Sequence, residues 1–270
     1  MCIALFGDVD HKFKLIIHIC NINKIKDMKK TALITGSNRG IGSEVSKQLL
    51  ELGYTVIVTA RSAEKLEEII KKLENSNVVG FKLDVTNSDD IESLNQFIES
   101  NFGHLDVLVN NAGVQLDLPT FMPENTSDTV SIETIKATFE TNYFSVIALT
   151  QKLLPLIKKS EAGRIVNVSS IMGSLVLHAD KTSPIYDIKL LAYNSSKTAL
   201  NQFTIHLAHA LKNTNIKVNA AHPGWVKTTL GGEYAPMELK DGAKTIVDLC
   251  LIGSDGPNSD FIHLGNSLPW

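Results

Sequence analysis

Apolar residues run through this chain in two rhythms. Near-continuous apolar runs occupy Thr31–Thr35, Tyr54–Ala60, Val78–Leu83, Leu105–Asn110, Arg164–Val168 and Lys217–Ala221. Their Val/Ile/Leu density is that of strands buried on both faces. Between them the spacing turns helical. Ile41, Val45, Leu49 and Leu52 recur at steps of 4, 4 and 3, and Leu200, Phe203, Leu207 and Leu211 at 3, 4 and 4, so each set shares one helix face. Alternation of such strands and helices predicts an α/β fold, a doubly wound parallel sheet of about seven strands flanked by helices. No internal repeat, low-complexity tract or Gly/Ser linker breaks the pattern, and a single domain is expected.

Three irregular stretches interrupt it. Pro119, Pro123 and the polar run Glu124–Ser131 mark a loop before a long helix that ends near Lys159. Ser174–Ile188 holds Asp180, Ser183 and Pro184, and Pro223–Leu239 holds Gly231, Gly232 and Pro236. Ligands of open α/β sheets sit outside the carboxyl ends of the strands, so residues 174–189 and 225–239 are the expected substrate loops. Residues 1–27 precede the first strand and carry Lys12, Lys14, Lys24 and Lys26 against Asp8, Asp10 and Asp27, with no arginine. They match neither a secretory signal nor a transit peptide and read as a peripheral extension, with residues 28–270 as the folded unit.

Composition narrows the function classes. The 270 residues hold 26 Lys+Arg against 29 Asp+Glu, a net charge of −3, which offers no basic field for nucleic acid. No apolar stretch approaches the roughly 20 residues that span a bilayer. Cys2, Cys20 and Cys250 are too few and too scattered for a disulfide framework or a metal site; a reducing, cytoplasmic compartment is expected.

Chemistry enters at Thr35-Gly36-Ser37-Asn38-Arg39-Gly40-Ile41-Gly42, which joins the first strand to the first helix. Glycines let backbone approach a pyrophosphate closely, and the following helix points unpaired N–H groups at the anion. The spacing is Gly-x-x-x-Gly-x-Gly rather than the commoner Gly-x-Gly-x-x-Gly. At the end of the second strand, Val58-Thr59-Ala60-Arg61-Ser62 lacks the carboxylate that accepts from the ribose 2′-OH of NAD. Arg61 can instead grip a 2′-phosphate by two parallel hydrogen bonds, and Arg39 adds a second cation. NADPH is therefore the expected coenzyme; the alternative is two solvated surface arginines.

Tyr193 and Lys197 stand at i and i+4, on one helix face. A phenol has a reference pKa of about 10, and a neighbouring ammonium is expected to lower it into acid–base use. Tyr186 lacks such a partner, its +4 position being Leu190. Ser169 and Ser170 end the fifth strand, where a hydroxyl can donate to a substrate carbonyl or cap local backbone. Asn142 falls mid-helix, where asparagine is a poor helix former; it either faces solvent or bends the helix and holds a water on a proton path to Lys197.

Gly36/Gly40/Gly42, Asp84, Asn110-Asn111-Ala112-Gly113, Asn142, Ser170, Tyr193/Lys197 and Pro223-Gly224 occur in one order and spacing. In this the chain resembles the short-chain dehydrogenase/reductase family from Lys29 to Trp270. Arg61, the run His222–Val226 and Leu268-Pro269-Trp270 are most similar to its NADPH-dependent carbonyl reductases. The resemblance implies a single-domain Rossmann fold. It implies coenzyme contacts from Gly36, Ser37, Asn38, Arg39, Gly40, Ile41, Gly42, Arg61, Asp84, Val85, Asn111, Ala112, Gly113, Tyr193, Lys197, Pro223, Gly224 and Val226. Asp84 would take the adenine amino group, and Asn110 and Gly113 would support the sheet and the adenine ribose side. Ser170 would orient the carbonyl, Tyr193 would be the general acid, Lys197 would hold the nicotinamide ribose, and Asn142 would complete a relay. The activity implied is hydride transfer from NADPH to an aldehyde, ketone or quinone, a small-molecule partner. Alternatives are an NAD(P)-dependent alcohol or steroid dehydrogenase working oxidatively, or a coenzyme-binding signalling protein with little turnover.

The interval from Ser170 to Tyr193 is longer than the family's usual dozen. The added segment Asp180–Lys189 is expected to wall the substrate pocket or to obstruct the helix pairing of dimeric members, which leaves monomer or homo-oligomer open. No metal is expected: His206 and His209 read as surface or packing histidines. Phe139, Tyr143 and Phe144 read as core packing, and Lys71–Lys72 and Lys158–Lys159 as solvated helix ends.

Overall fold

A computed structural model describes residues 30–117 and 126–270; the extension 1–27 and the Pro119/Pro123 turn lie outside them. Strands β1 (Thr31–Ile34), β2 (Thr55–Ala60), β3 (Val78–Lys82), β4 (Val107–Asn110), β5 (Arg164–Val168), β6 (Lys217–Ala221) and β7 (Phe261–His263) pair in parallel. The first six fall on the apolar runs of the sequence, and β7, which no such run marked, brings the parallel strands to the expected number of about seven. An eighth, β8 (Asn266–Ser267), folds back antiparallel on β7 and is too short to leave a hydrophobic signature. The order is β3-β2-β1-β4-β5-β6-β7-β8.

The helices are α1 (Gly40–Glu51), α2 (Ala63–Leu73), α3 (Ser88–Phe102), α4 (Ile132–Phe139), α5 (Ser145–Ile157), α6 (Leu175–Ala179), α7 (Leu191–Ala210) and α8 (Leu239–Leu251). They cover both faces of the sheet because alternate strand residues point to opposite sides. Ala32 and Ile34 of β1 join a core with Val45, Leu49, Leu66, Ile69 and Ile246 from α1, α2 and α8. Leu33 points the other way, into a core with Leu94, Ile98, Leu149, Leu153 and Leu207 from α3, α5 and α7. Local caps start several helices: Ser62, Asn87, Ser131 and Ser174 accept from first-turn N–H groups of α2, α3, α4 and α6.

The order reverses between β1 and β4, the switch point at whose carboxyl edge open α/β sheets bind ligands. Register sets the ends level, Ile34 beside Val109 and Asn110 beside Asn167.

Two expectations need correction. The long helix ending near Lys159 is two helices, α4 and α5, joined by a π-helical turn at Glu140–Phe144. A residue is inserted into the helical ladder there, which apolar periodicity does not reveal. Phe144, expected in the core, is 52% exposed, because the wider turn rotates it outward while Phe139 and Tyr143 stay half-buried. The stretch 174–188 is also not wholly irregular, since it contains α6. None of the helices formed by the described residues is long and apolar enough to cross a membrane.

Candidate active site

The glycine turn is tied to its neighbours before any ligand is considered. Gly36 N–H donates to Thr59 Oγ1 (3.1 Å), Ser37 N–H to the Thr59 carbonyl (3.2 Å), and Thr59 N–H to Ser37 Oγ (2.7 Å). Arg39 in the turn and Arg61 just past Thr59 therefore lie at the same sheet edge, and both are exposed. Asn111 grips the turn from β4, donating from Nδ2 to the carbonyls of Thr35 (2.7 Å) and Gly36 (3.1 Å). The N–H groups of Asn111 and Ala112 both donate to Thr35 Oγ1 at 2.9 Å.

Two glycines are required by this geometry. Gly36 has φ +61°, a left-handed conformation, and a β-carbon on it would lie 3.0 Å from Ala112 Cα. A β-carbon on Gly42 would lie 2.4 Å from Asn111 Nδ2 and 2.7 Å from the Gly36 carbonyl. Unlike α2, α3 and α4, which each have a side-chain cap and an acidic residue in the first turn, α1 starts with neither. An uncapped helix start behind a turn with no room for a side chain at Gly36 or Gly42 fits a dinucleotide's phosphates.

Past the end of β3, Asp84 Oδ1 accepts from Thr86 N–H (3.0 Å) and Thr86 Oγ1 (2.7 Å). Burial acts to raise its carboxyl, but the Thr86 hydrogen bonds and the cations Arg61 and Lys82 outweigh it and hold the pKa below the usual carboxylate value. Val85 is half-buried beside it. Ile41 packs on the core behind the turn.

The other sequence-derived residues gather around the ends of β4 and β5. Asn142 sits in the π-turn, 1% exposed. Its side chain pairs with the backbone of Val114, accepting from N–H and donating to C=O, each at 2.8 Å, and donates to Ser196 Oγ at 3.0 Å. The solvent-facing alternative for Asn142 is thereby excluded. A β-carbon on Gly113 would lie 3.3 Å from Asn142 Oδ1 and 3.7 Å from Lys197 Nζ, so Gly113 separates these two groups. Of the paired serines, Ser169 turns inward to Asn201 Oδ1 (2.5 Å), while Ser170 Oγ accepts from Met172 N–H (3.2 Å), capping local backbone, and its hydroxyl also faces that of Tyr193. Asn110 lies beneath, donating to Asn167 Oδ1 (2.8 Å) and Thr150 Oγ1 (3.1 Å).

The expected effect of Lys197 on Tyr193 is not what the structure gives. Burial pushes the phenol up to about 12, and the Ser170 hydrogen bond only partly opposes it. Burial likewise depresses Lys197 to about 8. Lys197 Nζ donates to the Val168 carbonyl at 2.8 Å and stands 5.7 Å from the centre of the Tyr193 ring. Desolvation outweighs mutual attraction because the ammonium is directed at a carbonyl rather than the phenol oxygen.

Around Pro223-Gly224, Pro223 is buried and Gly224 has φ +90°. The Val226 side chain packs on Gly242 of α8, while its backbone bridges Met237. Three residues to which the sequence reading gave no role support the site. Ser196 Oγ donates to the Tyr193 carbonyl (2.7 Å). His222 Nδ1 accepts from Ile171 N–H (3.2 Å), steadying the turn after Ser170. Thr228 lies 3.6 Å from where a Gly40 β-carbon would be, bringing loop 225–239 onto the phosphate turn. Serine, histidine and threonine at such places carry no spacing signal. His206 and His209 are exposed on α7.

Both expected substrate loops are braced. Trp270 stacks on Phe261 at 5.6 Å and its carbonyl accepts from Ser174 Oγ and Val176 N–H, each at 3.3 Å. Lys189 Nζ donates to the His178 carbonyl at 2.9 Å. In the second loop Trp225 Nε1 donates to the Gly231 carbonyl at 2.7 Å, and Lys227 pairs with Glu238.

Known proteins share this arrangement of fold and sequence. The family model described as short chain dehydrogenase matches residues 30–239. "Short-chain dehydrogenase anuI" of Penicillium roqueforti is 36% identical over 235 residues, 84% of this chain and 90% of that protein. Salutaridine reductase of Papaver bracteatum is 34% identical over 292 residues, 86% of this chain and 93% of that protein. The NADPH-bound carbonyl reductase from chicken fatty liver superposes with a TM-score of 0.77 at 26% identity, covering 90% of this chain and 99% of that one. The chain belongs to the short-chain dehydrogenase/reductase family and resembles its carbonyl reductases.

Proposed function

We propose that this oxidoreductase is an NADPH-dependent reductase of a small carbonyl compound. The observation that carries the reading is the meeting of Ser170, Tyr193 and Lys197 at the strand ends beside an uncapped turn that has no room for a side chain at Gly36 or Gly42. The carboxylate-free end of β2, with Arg61 and Arg39 both exposed, supports NADPH over NADH. The residues that would hold the coenzyme are Gly36–Gly42, Arg61, Asp84, Asn111–Gly113, Lys197 and Pro223–Val226. Bound there, NADPH supplies a hydride to the carbonyl carbon.

The chain's own residues supply orientation and a proton. Ser170 donates to the substrate oxygen and stabilises the charge that grows on it. Tyr193, kept protonated by burial, gives its phenolic proton to the same oxygen. Lys197 holds the coenzyme ribose, and Asn142 holds the π-turn open for water leading to Lys197. Apolar side chains exposed on both loops, Leu175, Val176 and Ile188 on one and Trp225, Leu230 and Tyr234 on the other, favour an apolar carbonyl. The names of the relatives, salutaridine reductase and (−)-isopiperitenone reductase of Mentha piperita among them, support reduction.

NADPH consumption against a panel of apolar aldehydes, ketones and quinones tests the reading; no consumption with any of them would end it. Arg61→Asp is expected to cut the NADPH/NADH preference about 10- to 100-fold, from the charge-assisted bonds lost. An unchanged ratio removes Arg61 from the coenzyme site. Gly42→Ala is expected to weaken NADPH at least about tenfold and to destabilise the fold by about 1–3 kcal/mol, because the methyl meets Asn111 Nδ2 and the Gly36 carbonyl. Fluorescence titration and a denaturant midpoint measure the two effects.

A further inference from the structure

We infer that Asp117 is a positioning residue for Tyr193, reaching from the loop after β4 to hold the first turn of α7. The inference rests on the reading of Tyr193 as proton donor. Asp117 is wholly buried, at 0% exposure. Its Oδ1 accepts from Ala192 N–H at 2.9 Å and its Oδ2 from Tyr193 N–H at 2.8 Å. The first N–H groups of any helix lack intrahelical partners, and Leu190, which precedes α7, has no side-chain acceptor to offer.

The contrast with the other helices is what gives this contact meaning. Ser62, Asn87, Ser131 and Ser174 cap the helices they adjoin. Such a local cap steadies a helix end but leaves the helix free to shift as a body. Asp117 is 75 positions from Ala192, so its carboxylate ties α7 to the sheet edge. An anion at a helix start is also favoured by the peptide dipoles, and its bonds to N–H groups are charge-assisted.

The same loop holds Tyr193 from its other side. Val114, three residues before Asp117, is paired to Asn142; Asn142 donates to Ser196, and Ser196 donates to the Tyr193 carbonyl. The segment Val114–Asp117 thus controls both the N–H and the C=O of Tyr193, one directly and one through two side chains. With its backbone held at both groups and its hydroxyl against Ser170, the phenol has little freedom to swing. A misplacement of about 1 Å at a reacting group can cost on the order of a hundredfold in rate.

The test uses the full chain labelled with carbon-13 at the tyrosine Cζ, the Tyr193 signal being the one missing from Tyr193→Phe. The parent is expected to show a single sharp Tyr193 signal. In Asp117→Ala that signal shifts and broadens or splits, and kcat falls about a hundredfold while the KM for NADPH stays within about twofold. Asp117→Asn, which keeps one oxygen acceptor but loses the second, should recover kcat only in part, to about three- to tenfold below the parent, with the Tyr193 signal still displaced from its parental position. A purely structural role would lower the melting temperature yet leave the signal and the kcat of folded protein unchanged, and that result overturns the inference. If Asp117→Ala does not fold, Asp117→Asn decides: a parental signal and parental kcat overturn it. Should the parent turn over nothing, the proposed function fails, while the carbon signal still settles whether Asp117 places the phenol.

Discussion

Tyr193→Phe lowers kcat by about 10²–10⁴-fold, the usual contribution of a general acid, and leaves NADPH affinity within about twofold of the parent. The substitution removes one oxygen. That oxygen touches Ser170 and, with Lys197 Nζ donating to the Val168 carbonyl instead, is not shared with the ammonium. The glycine turn, the Asn111 clamp and the Asp84 turn, proposed to bind the coenzyme, are untouched, so binding and turnover separate cleanly. Steady-state turnover and fluorescence titration, run on the same preparation, read the two quantities. Turnover at the parental rate would show that the proton comes from elsewhere. A matching loss of NADPH affinity would show instead that the phenol serves the coenzyme.

The strands of the fold were readable because parallel strands buried on both faces leave dense apolar runs. β5 and β6 occupy the positions expected of them, Arg164–Val168 and Lys217–Ala221. The π-turn was not readable: Phe139, Tyr143 and Phe144 satisfy a helical pattern, and only backbone hydrogen bonding distinguishes a five-residue turn from a continued helix. Its sole trace was Asn142, a polar residue of poor helix propensity in an apolar setting. The site divided along similar lines. Residues bound to a spacing, such as the glycines or Tyr193 with Lys197, could be named in advance. Asp117, Ser196, His222 and Thr228 act through contacts between elements distant in sequence, and no local pattern carries those. The family resemblance named Ser170 over Ser169, and the pleat gives the physical reason, turning one hydroxyl to Asn201 and the other to Tyr193.

Lys197→Met is the second substitution with a large expected effect, and its sign differs between activity and stability. Burial lowers the lysine to about 8, so the group is charged below that pH and neutral above it. If the cation holds the coenzyme ribose, kcat/KM for NADPH is flat below about pH 8 and falls about tenfold per unit above it. Tyr193, pushed up to about 12, remains protonated through this range and contributes no limb of its own. Lys197→Met should lower kcat/KM by about a hundredfold or more and abolish the pH limb. Stability runs the other way. A lysine depressed on folding costs stability as pH falls from its ordinary value of 10.5 toward 8. The Met variant is therefore expected to be more stable than the parent at pH 7, by about 3 kcal/mol at most, with the loss of the 2.8 Å bond to the Val168 carbonyl working against that gain. The advantage shrinks as pH rises toward 10. Denaturant midpoints at pH 7 and 10, beside a pH–rate profile, test both signs. A parental limb surviving in Lys197→Met would assign it to another group, and a variant less stable at pH 7 would show the ammonium to be better solvated by its carbonyl than its burial implies.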